Sequence, residues 1–179
     1  MRLLNVGSGP AHGQDKLPPR FCEWEIVRMD INPDVKPDII SDALDMSMIE
    51  TDVYDAIYNS HMLEHSYLSD VPKVLKNFYR VLKHGGHIYI KVPDVKAVIN
   101  AVALGLCEWT GELYRSPAGS IRPYDVFYGY TPYIEKGNVF YAHKIGFDEK
   151  LLRIKLREAG FRHIAIGTKD YELTAEGYK

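Results

Sequence analysis

Three groups of residues have the types and spacing to do chemistry. The first is Gly7-Ser8-Gly9, directly after the apolar run Leu3 to Val6; glycines there let backbone approach a ligand that any Cβ would push away. About twenty residues on, Asp30 ends a second apolar run, Trp24 to Met29. A carboxylate in that place can accept both hydroxyl hydrogens of a ribose. The third group is His61, Glu64 and His65, followed far along the chain by His143. An imidazole near an acceptor hydroxyl can act as general base, and His61, His65 and His143 are the candidates. The plain alternatives are a tight turn for the glycines, and capping or pairing within loops for Glu64, His65 and His143. No two of these side chains have a recognised zinc spacing with a third ligand at hand, so no metal is expected.

The glycine loop and Asp30 leave two cofactor readings, a nicotinamide or flavin dinucleotide and S-adenosylmethionine. A dinucleotide fingerprint needs glycine where His12 stands and a helix whose N-terminus faces the pyrophosphate. Pro10, Gly13, Pro18 and Pro19 leave room for a turn or two of helix at most in this crossover. S-adenosylmethionine carries no phosphate and asks less of that helix.

The elements that must position these groups follow from apolar period and punctuation. Asp38 to Ser41 reads as a weak third strand and Tyr54 to Tyr58 as a better fourth. From Asp70, the apolar residues Val71, Val74, Leu75, Phe78 and Leu82 recur at helical steps, with Asp70 as N-cap and Gly85-Gly86 as the stop. Lys73, Lys76, Arg80 and Lys83 then form a solvated outer face. His87 to Val92 alternates as a strand, and a helix runs from Val95 to about Leu106. Glu108 to Ala142, dense in tyrosine and phenylalanine with little period, reads as a cap insertion whose aromatic faces suit an acceptor or a homodimer contact. Asp148 caps the last helix, Gly160 stops it, and Arg162 to Gly167 is a strand.

Strands alternating with helices make an α/β fold with a mostly parallel sheet, a Rossmann-like arrangement whose ligands sit at the carboxyl ends of the strands. The chain of 179 residues is 46% hydrophobic, enough for one self-standing domain, 1–179. Its 22 basic and 24 acidic residues give a formal charge of -2, which provides no footprint for nucleic acid or an anionic membrane. The two cysteines, Cys22 and Cys107, suit a reducing cytoplasm, and neither a signal peptide nor a membrane span is expected.

Several motifs together resemble the class I S-adenosylmethionine-dependent methyltransferases, in particular the small bacterial and phage type often associated with cell-surface glycan pathways. They are Leu4-Asn5-Val6-Gly7-Ser8-Gly9-Pro10, Met29-Asp30-Ile31-Asn32, Ser41-Asp42-Ala43-Leu44 and Tyr58-Asn59-Ser60-His61-Met62-Leu63-Glu64-His65. Arg80-Val81-Leu82-Lys83-His84-Gly85-Gly86, Val92-Pro93-Asp94 and His143 to Asp148 continue the series. The resemblance implies a seven-stranded, mostly parallel sheet with helices on both faces and an antiparallel last strand. It places Gly7 and Gly9 by the methionyl part of S-adenosylmethionine, Asp30 at the ribose, Asp42 and Ala43 at the adenine, and Ser60 and His61 near the transferred methyl, with Asn5, Ser8 and Ile31 also among the cofactor-binding residues. The chain departs from the pattern at Asn5, where an acid is common, and at Ala11, where a third glycine is frequent. The activity implied is methylation of a small molecule or glycan precursor, at oxygen, in the cytoplasm. A non-catalytic binding or assembly domain on the same fold is the alternative.

Overall fold

The computed structural model describes residues 1–10 and 17–179. The strands are β1 (Arg2–Val6), β2 (Glu25–Asp30), β3 (Ile39–Ile40), β4 (Tyr54–Ser60), β5 (Leu82–Pro93), a small hairpin β6 (Tyr114–Ser116) and β7 (Gly119–Ile121), then β8 (Arg162–Lys169) and β9 (Glu172–Tyr178). The helices are α1 (Val71–Val81), α2 (Val95–Ala103), α3 (Pro123–Tyr128), α4 (Thr131–Ile134) and α5 (Glu149–Ala159). Seven strands form one sheet in the order β3-β2-β1-β4-β5-β9-β8, in which β9 alone runs against its neighbours. The strand order reverses between β1 and β4, and the loops after β1, β2 and β4 meet at that switch point.

Alternation along the strands divides the core. Leu4, Val6, Ile57, Ile88 and Ile90 face α1 and α5 in the main cluster, while Leu3, Ala56 and Tyr58 turn the other way and pack against Phe21 and Trp24. The helices obey their sequence signals in part. Asp148 accepts a hydrogen bond from the Leu151 amide at 2.8 Å, and Gly160 closes α5 at φ +111°. Asp70 precedes α1 without a side-chain cap bond, and α1 ends at Val81, before the glycine pair. Leu82 is already extended and starts β5; Gly85 and Gly86 lie where the β4 pairing shifts register. Helix α2 ends at Ala103, short of Leu106.

Three further readings of the sequence change. Arg80 does not join the solvated face: its guanidinium donates to the Ile49 and Met46 carbonyls, both at 2.7 Å, and ties that loop to α1. Lys83 sits on β5 and pairs with Asp55 at 2.8 Å. The 108–142 stretch has structure of its own, the β6–β7 hairpin with α3 and α4, and its apolar side chains Ile121 and Val126 form a separate small core with Val98 of α2. The first crossover holds a 3-10 turn, Pro19–Phe21, in its described part; Ala11, His12 and Gly13 lie outside the described residues. Among the described residues, no helix is long and apolar enough to cross a membrane.

Candidate functional site

The loop after β1 turns back on the end of β2. The amides of Gly7 and Ser8 both donate to the Met29 carbonyl, at 2.9 and 3.1 Å, and the Gly9 amide donates to Asp30 Oδ2 at 2.8 Å. Gly7 and Gly9 take φ of +69° and +61°, the left-handed region that L side chains avoid. Their surroundings differ. A Cβ on Gly7 would sit 2.6 Å from Met62 Cβ and Cγ, whereas a Cβ on Gly9 would meet nothing within 4 Å among the described residues. Gly7 is therefore fixed by packing, and Gly9 lines the cavity described below.

Sequence inspection missed what holds this loop from below. Arg28 is buried in β2, and its guanidinium donates to the carbonyls of Gly9 (2.5 Å), Val35 (2.9 Å) and Lys36 (2.8 Å). The available signal was a charged residue inside the apolar run Ile26-Val27-Arg28-Met29. Asn59 does the same for the other side, donating to the Val6 carbonyl at 3.0 Å. Asp30 spends both oxygens on backbone amides, Oδ1 accepting from Asn32 at 2.9 Å, yet each carboxylate oxygen keeps a second lone pair.

These loops enclose a cavity of about 690 Å³, within the usual size of small-molecule sites. Gly7, Gly9, Asp30, Ile31, Asp42, Ala43, His61 and His65 line it; Asn5, Ser8, Ser60 and His143 are not among its lining residues. Asn5 is buried in β1, and Ser60 shares one face of β4 with Tyr58. Val139, Phe140 and Tyr141, at the end of the aromatic segment, form the outer wall with Tyr67 and Lys144. The rest of that segment packs largely on itself, Trp109 against Tyr124 and Phe127, Tyr133 against Tyr130 and Tyr141.

At the end of β4 the polar cluster is assembled from three parts of the chain. His61, at φ +51°, has Nε2 2.8 Å from Glu172 Oε2 on β9 and Nδ1 3.4 Å from Glu64 Oε1. Burial lowers its pKa, but the bond to Glu172 and the nearness of Glu64 outweigh that and raise it to about 9. Glu172 also binds Lys91 at 2.6 Å; nothing in the sequence pattern linked this residue to the site. Glu64 is 1% exposed. Burial pushes its carboxyl up, while His61, His65 and His143 together hold it below the ordinary range. The Glu64 carbonyl accepts from the amides of Lys144 and Ile145 at 2.8 and 3.3 Å, which brings His143 alongside. The rings of His65 and His143 meet edge to face with centroids 4.8 Å apart. His65 Nδ1 lies 3.0 Å from the Ala142 carbonyl and His143 Nδ1 2.8 Å from the Val126 carbonyl. A carbonyl only accepts, so each Nδ1 carries the proton and each Nε2 keeps a lone pair.

A glycine loop after the first strand, an acid closing the second and an antiparallel last strand in a seven-stranded sheet make up the class I methyltransferase fold. Residues 4–90 match the profile of a family described as a methyltransferase domain, and this segment contains the loop, Asp30 and the fourth strand. Match and fold together support a class I S-adenosylmethionine-dependent methyltransferase, an enzyme with S-adenosylmethionine as its cofactor. Among solved structures, the chain is similar to a SAM-dependent methyltransferase from Archaeoglobus fulgidus, with 16% identity and a TM-score of 0.63 over 99% of this chain and 86% of that one. A possible histamine N-methyltransferase from Thermotoga maritima gives 14% and 0.63 over 99% and 82%. Human N-acetylserotonin methyltransferase in complex with SAM gives 13% and 0.63 over 99% of this chain and 47% of that one. No curated protein matches the sequence.

The residues present fit that cofactor. Gly9 leaves open the space a side chain would fill, Asp30 keeps lone pairs for two hydroxyls, and the apolar side chains of Ile31, Ala43 and Leu44 offer walls for a flat base.

Proposed function

We propose that this methyltransferase acts on a small molecule or glycan precursor and transfers the methyl group to an oxygen. The observation that carries this reading is the single cavity shared by the Gly7 to Gly9 loop and Asp30 at one end and by His61 and His65 at the other. When bound, S-adenosylmethionine supplies an electrophilic methyl group on a sulfonium. The chain's own part is to bind and orient. Gly7 and Gly9 receive the amino-acid end, Asp30 and Ile31 the ribose, and Asp42 and Ala43 the adenine. Asn5, Ser8 and Ser60 act from behind, through the strand ends that carry the loops.

The acceptor end is polar. Both ring nitrogens of His61 face carboxylates, Nε2 bonded to Glu172 and Nδ1 near Glu64, so this side chain holds its protons and does not take one up from an acceptor. His65 presents its Nε2 lone pair, with His143 directly behind it. A hydroxyl group suits such an array, because it can donate to one lone pair while its own lone pairs stay free for attack. Val139, Phe140 and Tyr141 close the cavity from the aromatic segment, which gives that segment its role as a cap over the acceptor.

The test is an acceptor screen with purified protein and S-adenosylmethionine, read by mass spectrometry. Methylation at oxygen of a hydroxylated small molecule or sugar, abolished in His65→Ala, supports the reading; transfer only to nitrogen or carbon contradicts it.

A further inference from the structure

Glu64 poses a problem that the methyltransferase reading leaves unsolved. Its carboxylate is fully enclosed, and neither oxygen has a hydrogen-bond partner among the described residues; His61 approaches Oε1 at 3.4 Å without hydrogen-bond geometry. A buried carboxylate without hydrogen bonds is costly, and proteins pair such a group or place it on a metal. The partners are at hand. One carboxylate oxygen of Glu64 and one ring nitrogen each of His65 and His143 lie within 4.8 Å of one another.

We propose that Glu64, His65 and His143 hold a divalent transition-metal ion of the zinc type at the inner end of the cavity. The two imidazoles are already held as metal ligands are held, with Nδ1–H on a backbone carbonyl, which fixes the ring and aims the Nε2 lone pair elsewhere. A nitrogen–nitrogen–oxygen donor set suits zinc, cobalt, iron or nickel over calcium or magnesium. With metal–ligand bonds of about 2.0–2.2 Å, tetrahedral ligands stand about 3.3 Å apart, so the three atoms need to draw in by about 1–1.5 Å, within reach of small side-chain rotations. The Lys144 and Ile145 bonds to the Glu64 carbonyl already align the two segments. Spacing along the chain hid this set because the third ligand, His143, comes from beyond the aromatic segment.

Three protein ligands leave coordination positions open, and His65 borders the cavity; with the ion in place His65 Nε2 is spent on the metal, and the acceptor hydroxyl meets the cation instead of that lone pair. An acceptor hydroxyl bound there exchanges its O–H bond for a bond to the cation: the proton leaves to water, the oxygen keeps its electron pair, and no oxidation state changes. This consequence rests on the methyltransferase reading, whereas binding of the ion does not.

The experiment uses the full chain without a tag, stripped with a chelator and dialysed. It is titrated with cobalt(II) followed by visible absorption and with zinc(II) by calorimetry, alongside a separate titration with S-adenosylhomocysteine. The expected result is one equivalent of metal, with affinity lowered at least about 100-fold in both His65→Ala and His143→Ala, and with circular dichroism showing both variants folded. No metal binding by wild type, or undiminished binding in both histidine variants, overturns the proposal. Metal bound by a chain that ignores S-adenosylhomocysteine supports the ion site and overturns its link to methyl transfer.

Discussion

Replacing Asp30 with alanine separates two jobs that this carboxylate does. In the protein alone it accepts the Gly9 amide at 2.8 Å and the Asn32 amide at 2.9 Å. Both amides are partly exposed, so water replaces part of what is lost. Two such bonds amount to about 1–3 kcal/mol of stability, which lowers Tm by about 3–10 °C in a chain of this size. In the complex the same carboxylate is assigned the ribose hydroxyls through its remaining lone pairs. Losing a hydrogen bond to a charged acceptor there is worth about 1.5–3 kcal/mol, or about 10- to 100-fold in Kd. Calorimetric titration of S-adenosylhomocysteine reads the second quantity, and thermal melting reads the first. Reduced Tm with Kd within about threefold of wild type, well inside one bond's worth, would refute the ribose assignment and leave Asp30 as a strut for the glycine loop.

The two glycines give a paired prediction. Gly7→Ala drives a Cβ to 2.6 Å from Met62 and lowers Tm sharply, whereas Gly9→Ala meets no atom within 4 Å among the described residues and costs only about 1 kcal/mol of left-handed backbone strain; its larger effect is weaker S-adenosylhomocysteine binding in titration. Arg28→Leu releases the carbonyls of Gly9, Val35 and Lys36 together, and chemical denaturation should show a loss of about 2–4 kcal/mol. A pH effect arises on the opposite sheet face, where burial first, and the Arg20 charge second, lower the His87 pKa below 6.5. The unfolded chain then binds this proton more readily, so the stability contributed by neutral His87 is whole above pH 6.5 and is lost as pH falls through the folded value. Denaturation curves at pH 7 and at successively lower pH should show that His87→Phe, whose ring still stacks on Phe21, removes this part of the acid dependence; an unchanged slope would contradict it.

Local punctuation made most of the fold legible. The runs ending at Gly7 and Asp30, the 3.6-residue period from Val71 to Phe78, and the Asp148 and Gly160 signals lie within single elements, where sequence neighbours are also physical neighbours. Errors arose where tertiary packing decides. Leu82 fits the helical stripe but is taken by β5, and Arg80 fits an outer face but finds two carbonyls of the 46–49 loop. The final strand, Glu172–Tyr178, was not located from its residues; the family resemblance implied a seventh, antiparallel strand without placing it. The candidate site divides the same way. Its cofactor end consists of loops that follow strands directly, so spacing exposed Gly7, Gly9, Asp30 and His61, and the family resemblance added Asp42. The Arg28 tether, the Glu172 partner of His61 and the meeting of Glu64 with His143 join residues far apart in the chain, and no local period records such contacts.

The most direct measurement is calorimetric titration of the purified full chain with S-adenosylmethionine and S-adenosylhomocysteine, with NAD as the control. The account predicts one site per chain for both sulfur ligands, weakened in Gly9→Ala and in Asp30→Ala, and no heat from NAD. Folded protein that binds NAD, or binds neither sulfur ligand with or without added zinc(II), would contradict it.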